Sequence, residues 1–158
     1  MKNLLLLLPL ATMLFVNASA LASEVDTSQS KITWTGTKIT GDHHSGQLST
    51  RSSSLKLSSD QITGGEIVFE MSSLTVSDLQ GEWKDKFLAH MKSADFFDVA
   101  KFPTATLTVQ SMVDGQVKGQ LTIKGVTQPT SFLVRLVDGK YVGKATFDRT
   151  KFGVTYRS

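Results

Sequence analysis

The sequence predicts an all-β fold, a barrel or sandwich of about eight antiparallel strands carrying one amphipathic helix. Three observations point there. Apolar and polar residues alternate with period two from Ser30 onward, Asp-Gly pairs separate several of the alternating runs, and one segment alone, 81–93, carries helical periodicity. The chain has 158 residues, of which 40% are hydrophobic and 20% charged; that balance suits one globular domain around one core. It has no cysteine. Disulfides, thiolate metal sites, a cysteine nucleophile and a lipidated N-terminal cysteine are thereby excluded, and stability must come from core burial.

The N-terminus stands apart from the predicted domain. Lys2 precedes an apolar run from Leu4 to Val16, followed by the small-residue site Ala18-Ser19-Ala20-Leu21-Ala22, the layout of a secretory signal peptide. The expected organisation is a leader at 1–22 and a domain at 23–158, with a periplasmic or secreted product. The apolar run is shorter than the roughly 20 residues that span a bilayer, so no stable membrane insertion is expected after cleavage. The formal net charge is +3, without the basic block that nucleic acid would call for.

Taken in order, the first strand places Ile32, Trp34 and Gly36 against Thr33, Thr35 and Thr37. Weaker strands near 45–50 and 54–58 are marked by Leu48, Leu55 and Leu57. After a Gly64-Gly65 break, Ile67, Phe69 and Met71 alternate with Glu66, Val68 and Glu70. The helix at 81–93 follows, because Trp83, Phe87, His90 and Met91 fall at i, i+4, i+7 and i+8 on one stripe. Lys84, Asp85, Lys86 and Lys92 point away from it. Core packing explains this stripe most simply, and Phe87→Ala then costs about 3–5 kcal/mol if the ring is buried. An aromatic patch, Phe96, Phe97 and Phe102, ends the helical segment, and Pro103 turns the chain into the next strand. Strands at 104–111, 116–124, 130–137 and 140–148 complete the set. Asp114-Gly115 and Asp138-Gly139 read as tight hairpins between them.

The inward positions are Gly36, Gly46, Ala105, Gly119, Gly143 and Ala145, interspersed with Trp34, Phe69, Leu107, Leu121, Phe132, Tyr141 and Phe147. An eight-stranded barrel can be filled by side chains or hold one small ligand. The small residues mark either a cavity or bends and bulges of the strands, and both readings stand. Catalytic constellations are poor. The histidines are His43, His44 and His90. The first two sit between Gly41 and Gly46, and neighbours on a strand face opposite ways, so both could ligate one metal only from a loop. His90 lies on the apolar stripe, where a buried imidazole needs a partner. No G-x-S-x-G, H-E-x-x-H or phosphate-binding loop occurs. No catalytic residue, metal or cofactor is expected. The competing reading is a metal-dependent hydrolase using His43, His44 and His90.

Three blocks carry a resemblance. His90-Met91-Lys92-Ser93-Ala94-Asp95-Phe96-Phe97-Asp98-Val99-Ala100-Lys101-Phe102-Pro103, Gly119-Gln120-Leu121-Thr122-Ile123-Lys124-Gly125-Val126-Thr127-Gln128-Pro129 and Phe147-Asp148-Arg149-Thr150-Lys151-Phe152-Gly153-Val154 resemble, in order, the hallmark segments of the YceI-like family. The resemblance implies a lipocalin-like antiparallel barrel with a helical lid, whose tunnel binds an isoprenoid lipid such as a polyprenyl chain or the tail of a quinone. Carried over by position, it implies a polar mouth of His90, Asp95 and Arg149. The apolar tunnel would be walled by Trp34, Phe69, Trp83, Phe87, Leu107, Leu121, Phe132 and Phe147. Asp148 stands where the family more often has asparagine. The family pattern continues beyond F-G-V-x-Y with a strand that closes the barrel, so the barrel is expected to be incomplete at its C-terminal end. A homodimer or a strand-pairing partner at the open edge is the further expectation.

Overall fold

The computed structural model describes residues 23–24, 26, 28–38 and 40–156, and the segment read as a signal peptide lies outside them. Period-two alternation builds β1 (Ser23–Glu24), β2 (Ile32–Thr37), β3 (His43–Ser53), β4 (Lys56–Ser58), β5 (Gln61–Glu70), β6 (Thr104–Val113), β7 (Gln116–Ile123), β8 (Val126–Val137) and β9 (Lys140–Gly143). The clearest case is β7, where Val117, Gly119, Leu121 and Ile123 are buried while Lys118 and Gln120 are exposed. The main path runs β2-β3-β5-β6-β7-β8-β9, every neighbour antiparallel. The short β4 pairs with the first part of β5, end to end with β3, and β1 pairs with β4.

Among the described residues, β2 and β9 have no strand on their outer sides. The sheet is therefore an open, curled half-barrel of seven antiparallel strands, in line with the incomplete barrel expected from the sequence.

Four two-residue turns set the register: Ser59-Asp60, Asp114-Gly115, Lys124-Gly125 and Asp138-Gly139, each with positive φ at both residues. This is the turn geometry whose twist matches paired strands. The two Asp-Gly pairs are legible in the sequence. Ser-Asp and Lys-Gly are weaker signals, so β8 begins at Val126 rather than 130, and β5 begins at Gln61 with Gly64 and Gly65 inside it. Pro129 is tolerated in β8 because β9 reaches only as far as Val134, leaving that flank of the strand without a neighbour that needs its N–H.

The strand expected at 140–148 stops at Gly143. Residues 144–148 leave the sheet, and Asp148 starts a 3₁₀ turn, Arg149–Phe152, by accepting from the Thr150 amide at 2.9 Å and its hydroxyl at 2.7 Å. Those two donors hold the Asp148 carboxyl below its ordinary pKa. The turn delivers Phe152 and Val154 into the interior. Two buried clusters share the inner face. One joins Leu55, Ile62, Val109, Met112 and Val117; the other joins Met71, Ala105, Leu121, Ile123 and Phe152; Leu107 packs on both.

The helix α1 (Gly81–Lys92) forms where the periodicity places it. Its stripe is not uniformly inward. Met91 is buried and Phe87 and His90 are half-buried, but Trp83 is 74% exposed. Phe87 makes the ring contacts from the helix to β2 and β3, stacking at 6.4 Å on Trp34 and lying 4.6 Å from His44. One turn earlier Trp83 meets Lys86, whose Nζ lies 5.7 Å from the ring and 2.7 Å from Glu82. Half-burial lowers the expectation for Phe87: the alanine variant should lose about 1–3 kcal/mol, read from urea melts. A loss outside that window would mean the ring is packed differently.

Candidate functional site

Between β5 and α1 the chain crosses over β3. The Thr75 amide donates to Gln47 O at 3.0 Å and the Ser77 amide to Ser45 O at 2.8 Å. The Gln47 amide returns a bond to Thr75 Oγ1 at 3.1 Å, and the Trp34 indole donates to Thr75 O at 3.0 Å. Gly46 is required here, because a Cβ on it would collide with the Thr75 carbonyl. Gly119 has a similar cause: a Cβ would meet the Thr108 carbonyl, beside the bulge between Val109 and Ser111. At these two positions a small inward residue accommodates backbone, so of the two readings left open by the sequence, close approach and bulging hold there.

The crossing ends at Asp78, which joins it to the histidine pair. Asp78 Oδ1 accepts from the Ser45 amide at 2.9 Å and Oδ2 lies 2.7 Å from His44 Nδ1. The Ser45 amide first, and His44 second, hold the Asp78 carboxyl below the ordinary aspartate value. A carboxyl with a depressed folded pKa stabilises the fold above its unfolded pKa, and that contribution is lost as pH falls through the folded value. Wild type should therefore be more stable than Asp78→Asn near neutrality, with the difference shrinking below pH of about 3.9. Thermal melts across that range measure it, and a pH-independent difference would refute the linkage.

His43 and His44 lie on β3 rather than in a loop, so their side chains leave on opposite faces. His43 is exposed, and His90 belongs to α1. Among the described residues no group of three or more His, Asp and Glu side chains is arranged to hold a metal ion.

Of the expected polar mouth, His90 and Arg149 come together and Asp95 does not. The His90 ring lies 5.7 Å from Phe96 and 4.3 Å from Tyr156, with Nε2 buried and without a hydrogen-bond partner among the described residues. Arg149 stacks over Phe96 at 5.2 Å and donates to Val154 O at 2.6 Å and Tyr156 O at 3.0 Å. Asp95 is exposed and makes no side-chain hydrogen bond or ion pair among the described residues. Arg149 thus ties down the segment after the 3₁₀ turn. The roles of Asp78, Thr75 and Tyr156 had no signal in the sequence, since each depends on a crossing between distant segments.

The eight residues expected to wall a tunnel fall in separate places. Phe69, Leu107 and Leu121 pack in the core around Phe152, and Phe132 packs beside Val117 in the other cluster. Trp34 and Phe87 stack near the crossing. Trp83 faces solvent rather than the inner face, because it sits on the helical turn before the ring contact to the sheet. Phe147 has left the strand and lies edge-on to Phe152 at 5.5 Å. What remains open is the inner surface beside β9. There Phe132, Val134 and Tyr141 are half-buried, Leu136 is 47% exposed, and Phe147, in the segment after β9, is 48% exposed.

The described residues form an antiparallel half-barrel with an apolar inner face. The chain belongs to the YceI-like family, whose domain matches residues 24–158. A UPF0312 protein of Staphylococcus aureus (strain bovine RF122 / ET3-1) is 33% identical over 78 residues, covering 42% of this chain and 46% of the relative. Protein YceI of Escherichia coli O17:K52:H18 (strain UMN026 / ExPEC) is 40% identical over 52 residues, covering 30% and 27%. The chain thus spans less than half the length of these curated relatives. The crystal structure of Burkholderia cenocepacia BcnA shares the fold, with a TM-score of 0.62 and 20% identity, over 82% of this chain and 84% of that one.

Proposed function

We propose that the protein carries an isoprenoid lipid, a polyprenyl chain or the tail of a quinone, without catalysis, as an exported periplasmic or secreted protein. The observation that carries this reading is the uncovered apolar inner surface of β8 and β9, where Phe132, Val134, Leu136 and Tyr141 stand beside the open edge. A long prenyl chain laid there leaves water at about 0.8 kcal/mol per CH₂, so affinity needs no polar code. Leu55, Ile62, Met112 and Val117 fill the interior directly against Phe132, Val134 and Tyr141, which limits the ligand to the exposed side of these three and to Leu136. Among the described residues no helix is long and apolar enough to cross a membrane.

Native mass spectrometry of protein from an exporting host, with lipid extraction, tests the reading. A bound prenyl lipid, and uptake of an added prenyl quinone, are expected; the absence of both rejects it. Leu136→Glu puts a charge into the ligand's place and should weaken quinone binding by at least about tenfold. Its melting curve should stay close to wild type, since the side chain is half-exposed already.

A further inference from the structure

The outer face of the β8–β9 hairpin changes character halfway along β8. Along the first half of β8 the outward residues are Thr127, Pro129 and Ser131; along the second half they are Leu133, Arg135 and Val137. The pairing of Arg135 with Val142, and of Val137 with Lys140, puts those β9 residues on the same outer face. Across β7, Leu133 pairs with Gln116, and Gln116 with Val113. Gln116 bends over Ser131, its Nε2 donating to Ser131 Oγ at 2.6 Å. On this face Val113, Leu133, Val137 and Val142 are each 48–64% exposed, with Gln116 between the first two and Arg135 between Leu133 and Val137. Both faces of this hairpin thus carry exposed aliphatic residues, although an antiparallel sheet normally keeps one face for water. A cluster of exposed aliphatic residues on one face marks a surface that meets another phase or partner.

The charges on the face choose between partners. Lys118, paired with Ser131, shares it with Arg135 and Lys140, and all three are exposed. Among the described residues none of them is in an ion pair. Asp114 and Asp138 sit on hairpin tips at its margin, and Asp60 acts on Tyr141 of the hairpin's inner face. A second copy docking by a two-fold axis would bring this set of cations onto itself. An anionic lipid surface answers both halves of the pattern, since aliphatic side chains enter the interfacial layer while Lys and Arg meet phosphate.

We propose that the outer face of the β8–β9 hairpin is a membrane-docking surface, with Val113, Leu133, Val137 and Val142 entering an anionic bilayer and Lys118, Arg135 and Lys140 meeting its headgroups. The same hairpin presents its inner face to the ligand proposed above, but docking does not depend on what that face holds.

The absence of cysteine makes the test direct. Val142→Cys and Thr127→Cys, both on outward positions, are labelled with an environment-sensitive fluorophore and mixed with vesicles of phosphatidylcholine alone or with phosphatidylglycerol added. The expected result is a blue shift and brightening at position 142 only, seen only with the anionic vesicles and reversed by salt. In the labelled Val142→Cys background, Arg135→Gln with Lys140→Gln should lower the vesicle partition coefficient roughly thirtyfold, about fivefold per charge. Equal responses at both positions, no response at 142, or partitioning unchanged by the two glutamines would overturn the proposal. So would a label response that tracks protein concentration without vesicles, which would assign the patch to a second copy. Loss of prenyl-lipid binding leaves these readouts unaffected, so failure of the two readings can be told apart.

Discussion

Phe152→Ala is expected to lower stability by about 3–5 kcal/mol, the range for emptying a buried aromatic site. The ring is 2% exposed and packs with Met71, Ala105, Leu121 and Ile123. It does not reach them from a strand. Gly143 ends β9, the chain leaves the sheet, and the 3₁₀ turn capped by Asp148 swings Phe152 back under the inner face. Two side supports hold it, the edge of Phe147 at 5.5 Å and the Arg149 bonds to Val154 O and Tyr156 O. The ring completes one of the two buried clusters of the inner face. Domains of this size are stable by only about 5–15 kcal/mol, so the variant should sit near the edge of folding at 25 °C. Urea unfolding followed by circular dichroism measures this, and a loss under about 1 kcal/mol would show that the turn is not packed inward. Phe147→Ala, on a half-exposed ring, should lose much less.

Gly46→Ala is expected to be comparably damaging for the opposite reason. It adds atoms where backbone already lies. Its Cβ would occupy the place of the Thr75 carbonyl, so the crossing segment must lift away from β3. Lifting threatens the amide bonds of Thr75 and Ser77, the Gln47 bond to Thr75 Oγ1 and the Trp34 indole bond. Overpacking costs about 1–3 kcal/mol and each lost bond about 1 kcal/mol, so a loss of about 3–5 kcal/mol is expected. Trp34 provides a local reporter: its emission should shift red as the indole N–H is released to water. A wild-type melt with unchanged emission would rule out the close crossing.

The strands were legible because alternation is a direct record of which face is buried, and β7 shows it residue by residue. The helix was legible because four large residues share a 3.6 period, yet the same period misplaced Trp83. Periodicity says which side chains share a face but not how far along the helix that face stays covered. Asp-Gly announced two hairpins and Lys-Gly failed to announce a third, since the first pair favours positive φ at both residues and lysine does not. The expected site separated likewise. His90 and Arg149 meet through Phe96 and Tyr156, whereas Asp95, five residues along the same block as His90, is exposed and bonded to neither.

By itself the sequence determined the class of fold, the place of the helix and the apolar character of the inner face, because each of these is written in spacing along one chain, and it carried the family through the resemblance of three blocks. Only the tertiary structure decided that Phe152 returns from the 3₁₀ turn to pack with Met71, Ala105 and Leu121, that Gly46 and Gly119 accommodate backbone, and that Asp78 holds His44. The physical reason is common to all three: they are set by where distant segments come within a few ångströms of each other, and local periodicity carries no record of such crossings.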